Sequence, residues 1–302
     1  MTAYAACFTP NLTPTHSAVC RFVESGGIRW HVQVMGREIG TAPQLLLIHG
    51  TGASTHSWRG VMPALADRYT LVAPDLPGHA FTGRLPDSQM TLPGMAKSVL
   101  GLIATMDIVP YAIIGHSAGA AIALTMARER DRFADTPIIG LNAALTPLPW
   151  PATQVFPAMA RLLALNPLVP KVFSGVSRLA GDTAGFIQRS TSSRIDREGA
   201  RCYATLLGNS RHARGALAMM ANWDLDTLDH ALPDIGNPVL LVHARGDNAI
   251  PLSGVEEAAR KLPHAQLEVL PALGHLAHEE RPEEVAALIA EFLARHGVEG
   301  AN

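Results

Sequence analysis

The chain has 302 residues, of which 48% are hydrophobic, enough for one large α/β domain or two small ones with a sizeable core. Charged residues make up only 17% and the formal net charge is −2, and no basic block is present that could neutralise phosphates, which argues against a nucleic-acid partner. The low charge indicates apolar surface, as expected for an apolar substrate, an oligomer contact or a membrane surface.

The N-terminal segment and the cysteines indicate the compartment. Residues 1–20 lack a basic stretch and are interrupted by two prolines, so they do not resemble a signal peptide. No apolar run reaches the ~18 residues of a membrane-spanning helix. The cysteines, Cys7, Cys20 and Cys202, are odd in number and lack CxxC spacing, which argues against a disulfide framework and a zinc site. We therefore expect a cytoplasmic protein in a reducing compartment.

The apolar pattern predicts a sheet covered by helices. Residues 28–34 alternate in polarity, which predicts a strand half exposed to water. Continuous apolar runs, typical of strands buried on both faces, follow at 44–50, 69–75, 111–115, 137–143, 238–244 and 266–271. Helices are predicted between them, at 55–66, 93–107, 118–130, 253–262 and 282–296. This alternation predicts a doubly wound, mostly parallel α/β sheet.

The interval 146–232 interrupts this alternation. It begins with a proline-punctuated stretch and contains no convincing buried strand, and its apolar residues are spaced for short helices. Because it is too long for a structureless loop, we predict a helical lid over the edge of the sheet where open α/β sheets bind ligands. The chain then divides into an N-terminal arm (1–18), a core (19–145 and 233–302) and the lid.

The segment Gly115–Gly119 reads Gly-His-Ser-Ala-Gly and lies between an apolar strand and a predicted helix. This is the G-x-S-x-G pattern in its expected context, a sharp turn with a serine at its tip. The serine of such a turn has a strained backbone, and only very small neighbours two residues away leave room for it. We therefore predict that Ser117 is a nucleophile and that the Ala118 N–H binds developing negative charge.

A dinucleotide-binding turn also joins a strand to a helix through glycines. With Gly115 as its first glycine, Ser117 stands where the second glycine must admit a pyrophosphate, so that pattern does not fit. A chance match in a glycine-rich turn is the other interpretation of the pentapeptide.

Two downstream residues complete the expected order of serine, then aspartate, then histidine. Asp247 follows the predicted strand 238–244, and His275 lies in a glycine-containing loop before the last helix. The His275 imidazole could take the serine proton, while Asp247 orients the ring and stabilises the imidazolium. Alone, Asp247 could be a turn residue and His275 a loop histidine, but their order favours a triad.

The loop His49–Gly52 reads His-Gly-Thr-Gly and follows the first buried strand. Its flexibility allows a backbone N–H to point into the site and complete an oxyanion hole. Thr51 is the predicted donor and Gly52 the reserve. A simple glycine turn is the alternative.

Two other histidines near these motifs have structural interpretations. His278 lies three residues after His275, but no third ligand stands at a recognisable spacing, so no metal site is predicted. Instead His278, Glu279 and Glu280 are expected to begin the final helix, where carboxylates favour the positive end of the helix dipole. His116 is expected to pack or hydrogen-bond beside the turn.

These motifs together resemble the α/β-hydrolase fold superfamily over residues 20–297. The segments that carry the resemblance are "HGTG", "DLPGHA", "GHSAG", Asp247 and "GHLAHEE". "GGIRWHVQVMG", "LPGMA", "GLNAAL" and "MMANWDL" extend it to the magnesium-chelatase accessory proteins of bacteriochlorophyll biosynthesis in phototrophic bacteria. Ala80 departs from that pattern, which usually has a second glycine there. The resemblance implies an eight-stranded sheet with the lid after the sixth strand.

The resemblance also implies a function. Its triad corresponds to Ser117, Asp247 and His275, which predicts a serine hydrolase of the esterase type that needs no metal or organic cofactor. A serine in the turn speaks against epoxide hydrolases and haloalkane dehalogenases, which use aspartate there, whereas a C–C bond hydrolase or a cofactor-free haloperoxidase is compatible. A porphyrin-binding escort protein on the same scaffold is the non-catalytic alternative.

Partners follow from the lid and the resemblance. Six apolar lid residues could line a cavity for a flat macrocycle or another apolar molecule, or could simply form lid core: Trp150, Phe156, Met159, Met219, Met220 and Trp223. Magnesium-chelatase subunits are implied as partners by the resemblance. The apolar segment 150–173 could also contact a membrane surface peripherally.

Overall fold

An eight-stranded sheet organises the part of the chain that the computed structural model describes, residues 18–147, 182–298 and 300. The strand order is β1-β2-β4-β3-β5-β6-β7-β8. β1 and β2 pair antiparallel, as do β2 and β4, and every other pair is parallel. The strands are β1 (Val19–Ser25), β2 (Ile28–Gly36), β3 (Gln44–Ile48), β4 (Thr70–Pro74), β5 (Ala112–His116), β6 (Ile138–Leu141), β7 (Val239–Ala244) and β8 (Ala265–Leu270).

Helices cover both faces of this sheet. In chain order they are α1 (Val61–Leu65), α2 (Leu92–Thr105), α3 (Ala118–Ala127), α4 (Arg130–Phe133), α5 (Thr183–Thr191), α6 (Arg197–Leu207), α7 (Ser210–Ala221), α8 (Asp226–Ala231), α9 (Leu252–Lys261), α10 (Ala277–Glu280) and α11 (Pro282–Arg295). Apolar residues of α2, α3 and α9 form the core on one face, and those of α1 and α11 form the core on the other. The predicted doubly wound α/β architecture is confirmed.

Burial on both faces explains the continuous apolar runs of β3 to β7. The same expectation for the run 266–271 is wrong, because β8 is an edge strand and only partly buried. In β3, Leu46 and Ile48 belong to one core while Leu45 and Leu47 belong to the other, and all four are fully buried. Since successive side chains of a strand point to opposite faces, a strand in the middle of a covered sheet must be apolar at every position.

The prediction that β2 is half exposed is wrong. It lies between β1 and β4, and its residues Trp30 to Met35 are all buried. Arg29 is exposed, but the other two polar residues of the alternating pattern, His31 and Gln33, are buried, and His31 Nδ1 lies 2.7 Å from Asp75 Oδ2. Alternation here reflects a buried polar contact. β1, which forms one edge of the sheet, is not among the strands predicted from the apolar pattern.

Boundaries elsewhere shift by a few residues. The predicted helix 55–66 is a 3-10 turn at Thr55–Trp58 followed by α1, and the two are separated at Gly60, which lies against Pro282. The final helix begins at Pro282, as the prediction of a helix over 282–296 has it, so the expectation that His278, Glu279 and Glu280 begin it is wrong. Those residues belong instead to the separate turn α10.

The described part of the interval between β6 and β7 is helical, as predicted. Residues 182–232 form α5 to α8 and include no strand. Within the described residues, none of the helices combines the length and the apolar character that crossing a bilayer requires.

Candidate active site

Ser117 stands between β5 and α3 in a strained backbone conformation, with φ 51° and ψ −117°. A positive φ is costly for a residue with a Cβ, so the surrounding structure must hold it. Gly115 and Gly119 allow this tight turn. A Cβ on Gly115 would collide with the Ala120 nitrogen, and one on Gly119 would collide with the Ile48 carbonyl oxygen. The turn presents a partly exposed serine at the carboxyl edge of the sheet.

The structure brings Asp247 and His275 together at the same edge. Asp247 follows β7 and His275 follows β8, and His275 Nδ1 donates to Asp247 Oδ2 across 2.7 Å. Both residues are only 9% exposed. With the Nδ1 proton engaged by the carboxylate, the neutral ring keeps Nε2 unprotonated, which is the form a general base needs.

Three other donors surround the Asp247 carboxylate. Asn142 Nδ2 donates to Oδ2 across 2.8 Å, and the Ala249 and Ile250 N–H groups donate to Oδ1 across 2.7 and 3.0 Å. Burial opposes ionisation, but the hydrogen bond and charge of His275, with these donors, lower the pKa of Asp247 below its ordinary value. The carboxylate is therefore charged at neutral pH.

Asn142 was missed by the sequence analysis. It directly follows β6 and has a positive φ of 45°, a conformation that asparagine tolerates better than most residues. The signal available for it was a polar residue near the end of the apolar run 137–143, at the edge of the sheet where Ser117 and Asp247 also stand.

His116 links the serine turn to the histidine loop. Its Nε2 donates to the His275 carbonyl oxygen across 2.9 Å, and the two rings lie 4.8 Å apart. Burial lowers the pKa of His116 to about 3, so the ring is neutral. This packing and hydrogen-bonding role agrees with the sequence-based expectation.

Within the described residues no hydrogen bond joins Ser117 Oγ to the His275 ring. Contacts of this kind between a nucleophile and its base often tighten only when substrate binds.

The predicted oxyanion loop lies against the serine. A Cβ on Gly50 would lie 3.0 Å from Ser117 Cβ, so this loop and the serine turn are in direct contact. The Gly52 N–H, the reserve donor, is already donated to His79 Nε2 across 3.1 Å. Within the described residues, neither the Thr51 nor the Ala118 N–H has a hydrogen-bond partner. The geometry thus favours Thr51 over Gly52.

The C-terminal end of α5 and the residues after it hold the His275 loop, a contact that the sequence did not reveal. The His275 N–H donates to the Thr191 carbonyl oxygen and the Leu276 N–H to Ser193 Oγ, each across 2.8 Å. The interval between β6 and β7 therefore forms part of the wall that positions the histidine.

The predicted substrate-binding residues are only partly described. Trp150, Phe156 and Met159 lie outside the described residues. Met219 is fully buried, and its sulfur accepts a hydrogen bond from Thr51 Oγ1 at 3.5 Å. Met220 is 45% exposed, and Trp223 is partly buried against the core.

Glu279 has a structural role different from the predicted one. It is buried and forms an ion pair with Arg59, and it accepts a hydrogen bond from Tyr203 across 2.7 Å. Burial raises the pKa of Glu279, and Arg59 and Tyr203 oppose the rise. The hydrogen bond from Tyr203 to Glu279 joins α6 to the core.

Comparison with known proteins identifies the family. The family model described as alpha/beta hydrolase fold matches residues 43–282. The chain belongs to the α/β-hydrolase fold family. The resemblance derived from the motifs is thus confirmed.

Relatives of this hydrolase-fold chain have different names. A protein of Rhodobacter capsulatus named magnesium-chelatase 30 kDa subunit is 39% identical over 285 residues, which span 93% of this chain and 96% of that protein. The 2-hydroxymuconate semialdehyde hydrolase of Pseudomonas sp. strain CF600 is 26% identical over 91% of this chain and 93% of its own. A solved esterase structure from Thermogutta terrifontis has a TM-score of 0.70 at 23% identity, over 92% and 98% of the two chains, a likeness of fold.

Proposed function

We propose that this protein is a serine hydrolase that cleaves an ester or a related carbonyl compound with an apolar body. The observation that carries the proposal is the hydrogen bond from His275 to the buried Asp247, at the sheet edge where the strained Ser117 turn also stands. Fold alone does not imply this activity, because many functions occur on one fold. Support comes from the three side chains and their order.

The mechanism follows from these roles. His275 Nε2 removes the Ser117 proton as Oγ attacks the carbonyl carbon, and the Thr51 and Ala118 N–H groups bind the resulting oxyanion. The imidazolium, stabilised by Asp247, returns the proton to the leaving group as the C–O bond breaks. In the second half-reaction His275 removes a proton from water, which attacks the acyl carbon. The imidazolium then returns the proton to Ser117 Oγ as the acyl C–O bond breaks, which releases the acid and restores Ser117.

The interval 146–232 serves in this proposal as the lid that selects the substrate. Met219 touches Thr51, so at least one of its helices reaches the oxyanion loop. We place the acyl or alkyl body of the substrate against the apolar lid residues, with Met220 and Trp223 among them.

The physiological role that we propose is an accessory step in bacteriochlorophyll biosynthesis, at the stage of magnesium insertion. Its support is the 39% identity to the Rhodobacter capsulatus protein named as a magnesium-chelatase subunit. The proposed partners are magnesium-chelatase subunits and a porphyrin substrate. We propose a cytoplasmic location with peripheral membrane contact, which flotation with liposomes would test.

The same relative favours a second candidate function. A protein that assembles with a chelatase could hold a porphyrin without cleaving it, as an escort on a hydrolase scaffold. The Pseudomonas relative, named as a semialdehyde hydrolase, keeps C–C bond hydrolysis as a further candidate for the triad.

Ester turnover separates catalysis from escort. We expect p-nitrophenyl esters of graded chain length, and porphyrin esters, to be hydrolysed by the wild-type protein and not by Ser117→Ala. Porphyrin titration followed by tryptophan quenching measures binding in both proteins. Tight binding by both, with no ester turnover by either and with pathway rescue by Ser117→Ala, would contradict the hydrolase and favour the escort.

A further inference from the structure

One face of α7 rests on two loops of the hydrolase core. His212, Gly215 and Met219 lie three and four residues apart, so they share a face of the helix. A Cβ on Gly215 would collide with the Gly78 carbonyl oxygen, so the helix and the loop after β4 pack backbone against backbone. Met219 meets Thr51 in the oxyanion loop. Helix α7 is therefore held close to both loops.

His212 connects these two loops through its ring. The Ala80 N–H donates to Nδ1, which must therefore be unprotonated, and Nε2 carries the proton and donates to the Gly52 carbonyl oxygen. Both distances are 3.1 Å, and the ring is only 1% exposed. Both ring nitrogens are engaged, one by each loop.

A second histidine holds the other side of Gly52. His79 Nε2 accepts the Gly52 N–H across 3.1 Å, its Nδ1 faces the Pro77 carbonyl oxygen, and its ring lies 5.2 Å from that of His212. Burial lowers the pKa of both rings, that of His212 to about 4. At neutral pH each ring is thus uncharged and supplies one donor and one acceptor.

The Thr51 N–H belongs to the peptide group between Gly50 and Thr51. The carbonyl oxygen of that group accepts the Ala53 N–H, which belongs to the peptide group after Gly52, across 3.2 Å, so an anchor on Gly52 also constrains the Thr51 N–H. The Gly52 φ of 78° is open to glycine and to few other residues, and the two histidines bind its N–H and its carbonyl. Without the bond from His212, the peptide plane that follows Gly52 loses its anchor on the α7 side. An oxyanion hole works only when its donors are already in place before the charge develops.

We propose that His212 is a positioning residue of the active site, which holds the oxyanion loop in its working conformation through the Gly52 carbonyl. The proposal rests on the serine hydrolase function proposed above. It means that helix α7, outside the strands and loops that carry the triad, completes the oxyanion hole.

Two substitutions separate this role from general stability. In His212→Gln the amide nitrogen can stand where Nε2 stands and donate to Gly52, but the acceptor for Ala80 is lost. In His212→Asn the amide oxygen can stand where Nδ1 stands and accept from Ala80, but nothing reaches Gly52. Each variant loses one hydrogen bond of the ring. Arg214→Gln, at an exposed position on the same helix, is the matched control.

Ester turnover is measured for the four proteins, with active sites counted by a fluorophosphonate. Misplacing a catalytic donor by about 1 Å can cost about 100-fold, so we expect His212→Asn to lower kcat about 10- to 100-fold with KM changed less than about twofold. His212→Gln and Arg214→Gln should stay within about threefold of wild type. Equal losses in the Gln and Asn variants, or none in His212→Asn, would overturn the proposal while the hydrolase function stands.

Amide hydrogen exchange of a peptide covering residues 50–54 gives a reading that does not depend on activity. We expect faster exchange in His212→Asn and wild-type exchange in the Gln variant and in Arg214→Gln. If the wild-type protein neither cleaves esters nor reacts with fluorophosphonate, the hydrolase function fails, and this exchange pattern alone decides whether His212 holds the loop. Unchanged exchange in His212→Asn would show that it does not.

Discussion

Replacing Asp247 by Asn tests the hydrogen-bond geometry around the carboxylate. All four contacts of Asp247 are donors: His275 and Asn142 on Oδ2, and the Ala249 and Ile250 N–H groups on Oδ1. An asparagine fits the space but must turn its NH2 group toward one of the two donor pairs. Either orientation leaves donors facing donors and removes the negative charge.

The two orientations have different consequences for His275. If the NH2 faces Ala249 and Ile250, the ring keeps its orientation but loses the charge that stabilises the imidazolium. If it faces His275, the ring must present an unprotonated Nδ1, and the proton moves to Nε2, where it blocks the base. The same exchange in a serine-protease triad lowers kcat about 10⁴-fold, so we expect a loss of about 10³- to 10⁴-fold, or about 4 to 5.5 kcal/mol of transition-state stabilisation.

The assay is steady-state ester hydrolysis by Asp247→Asn, with Asp135→Asn as the control for loss of one negative charge at an exposed position. Circular dichroism and the midpoint of urea unfolding establish that both variants are folded. We expect the control to retain wild-type kcat. A folded Asp247→Asn protein with kcat within about threefold of wild type would refute the assignment of Asp247 as the residue that orients His275.

Two further predictions concern stability. Gly119→Ala places a Cβ on the Ile48 carbonyl oxygen, so we expect it to lower the free energy of unfolding by about 3 kcal/mol or more. Gly236→Ala, with open space around it, is the control and should change this free energy by less than about 1 kcal/mol. Urea unfolding measures both variants, and equal values would contradict the close contact. The second prediction concerns pH. Burial lowers the pKa of His116 to about 3 and that of His212 to about 4. Between these values and about 6.5, the unfolded chain therefore binds more protons than the folded protein. The stability that is present above about pH 6.5 is lost as the pH falls. From pH 7 to pH 5 each histidine should cost about 2 kcal/mol, and a free energy of unfolding that changes by less than about 1 kcal/mol in total would contradict their neutral burial.

The fold was predictable because its signals are local. The continuous apolar runs that became β3 to β7 report burial on both faces, and the turn at Ser117 reports its own geometry through its glycines. The run that became β8 is apolar although this edge strand is only partly buried. β1 gave no comparable signal, because it is an edge strand with exposed positions along its length. The pattern of β2 was misleading because two of its polar residues, His31 and Gln33, are buried.

The candidate site was predictable only where chain order carries information. Ser117, Asp247 and His275 follow a known order, after β5, β7 and β8, so three separate residues could be assigned together. His212 and Ser193 have no such order. Each lies in the interval between β6 and β7 and reaches a loop that is far away in sequence, so its role depends on how the helices pack. No local pattern encodes that packing.

The central claim is that Ser117 is an activated nucleophile. Incubation of the folded protein with a fluorophosphonate, followed by peptide mass spectrometry, tests it most directly. We predict a single adduct on Ser117, formed fast in the wild-type protein, much more slowly in Asp247→Asn, and absent in Ser117→Ala. A folded wild-type protein whose Ser117 stays unmodified, or that carries the adduct on another residue, would contradict the claim.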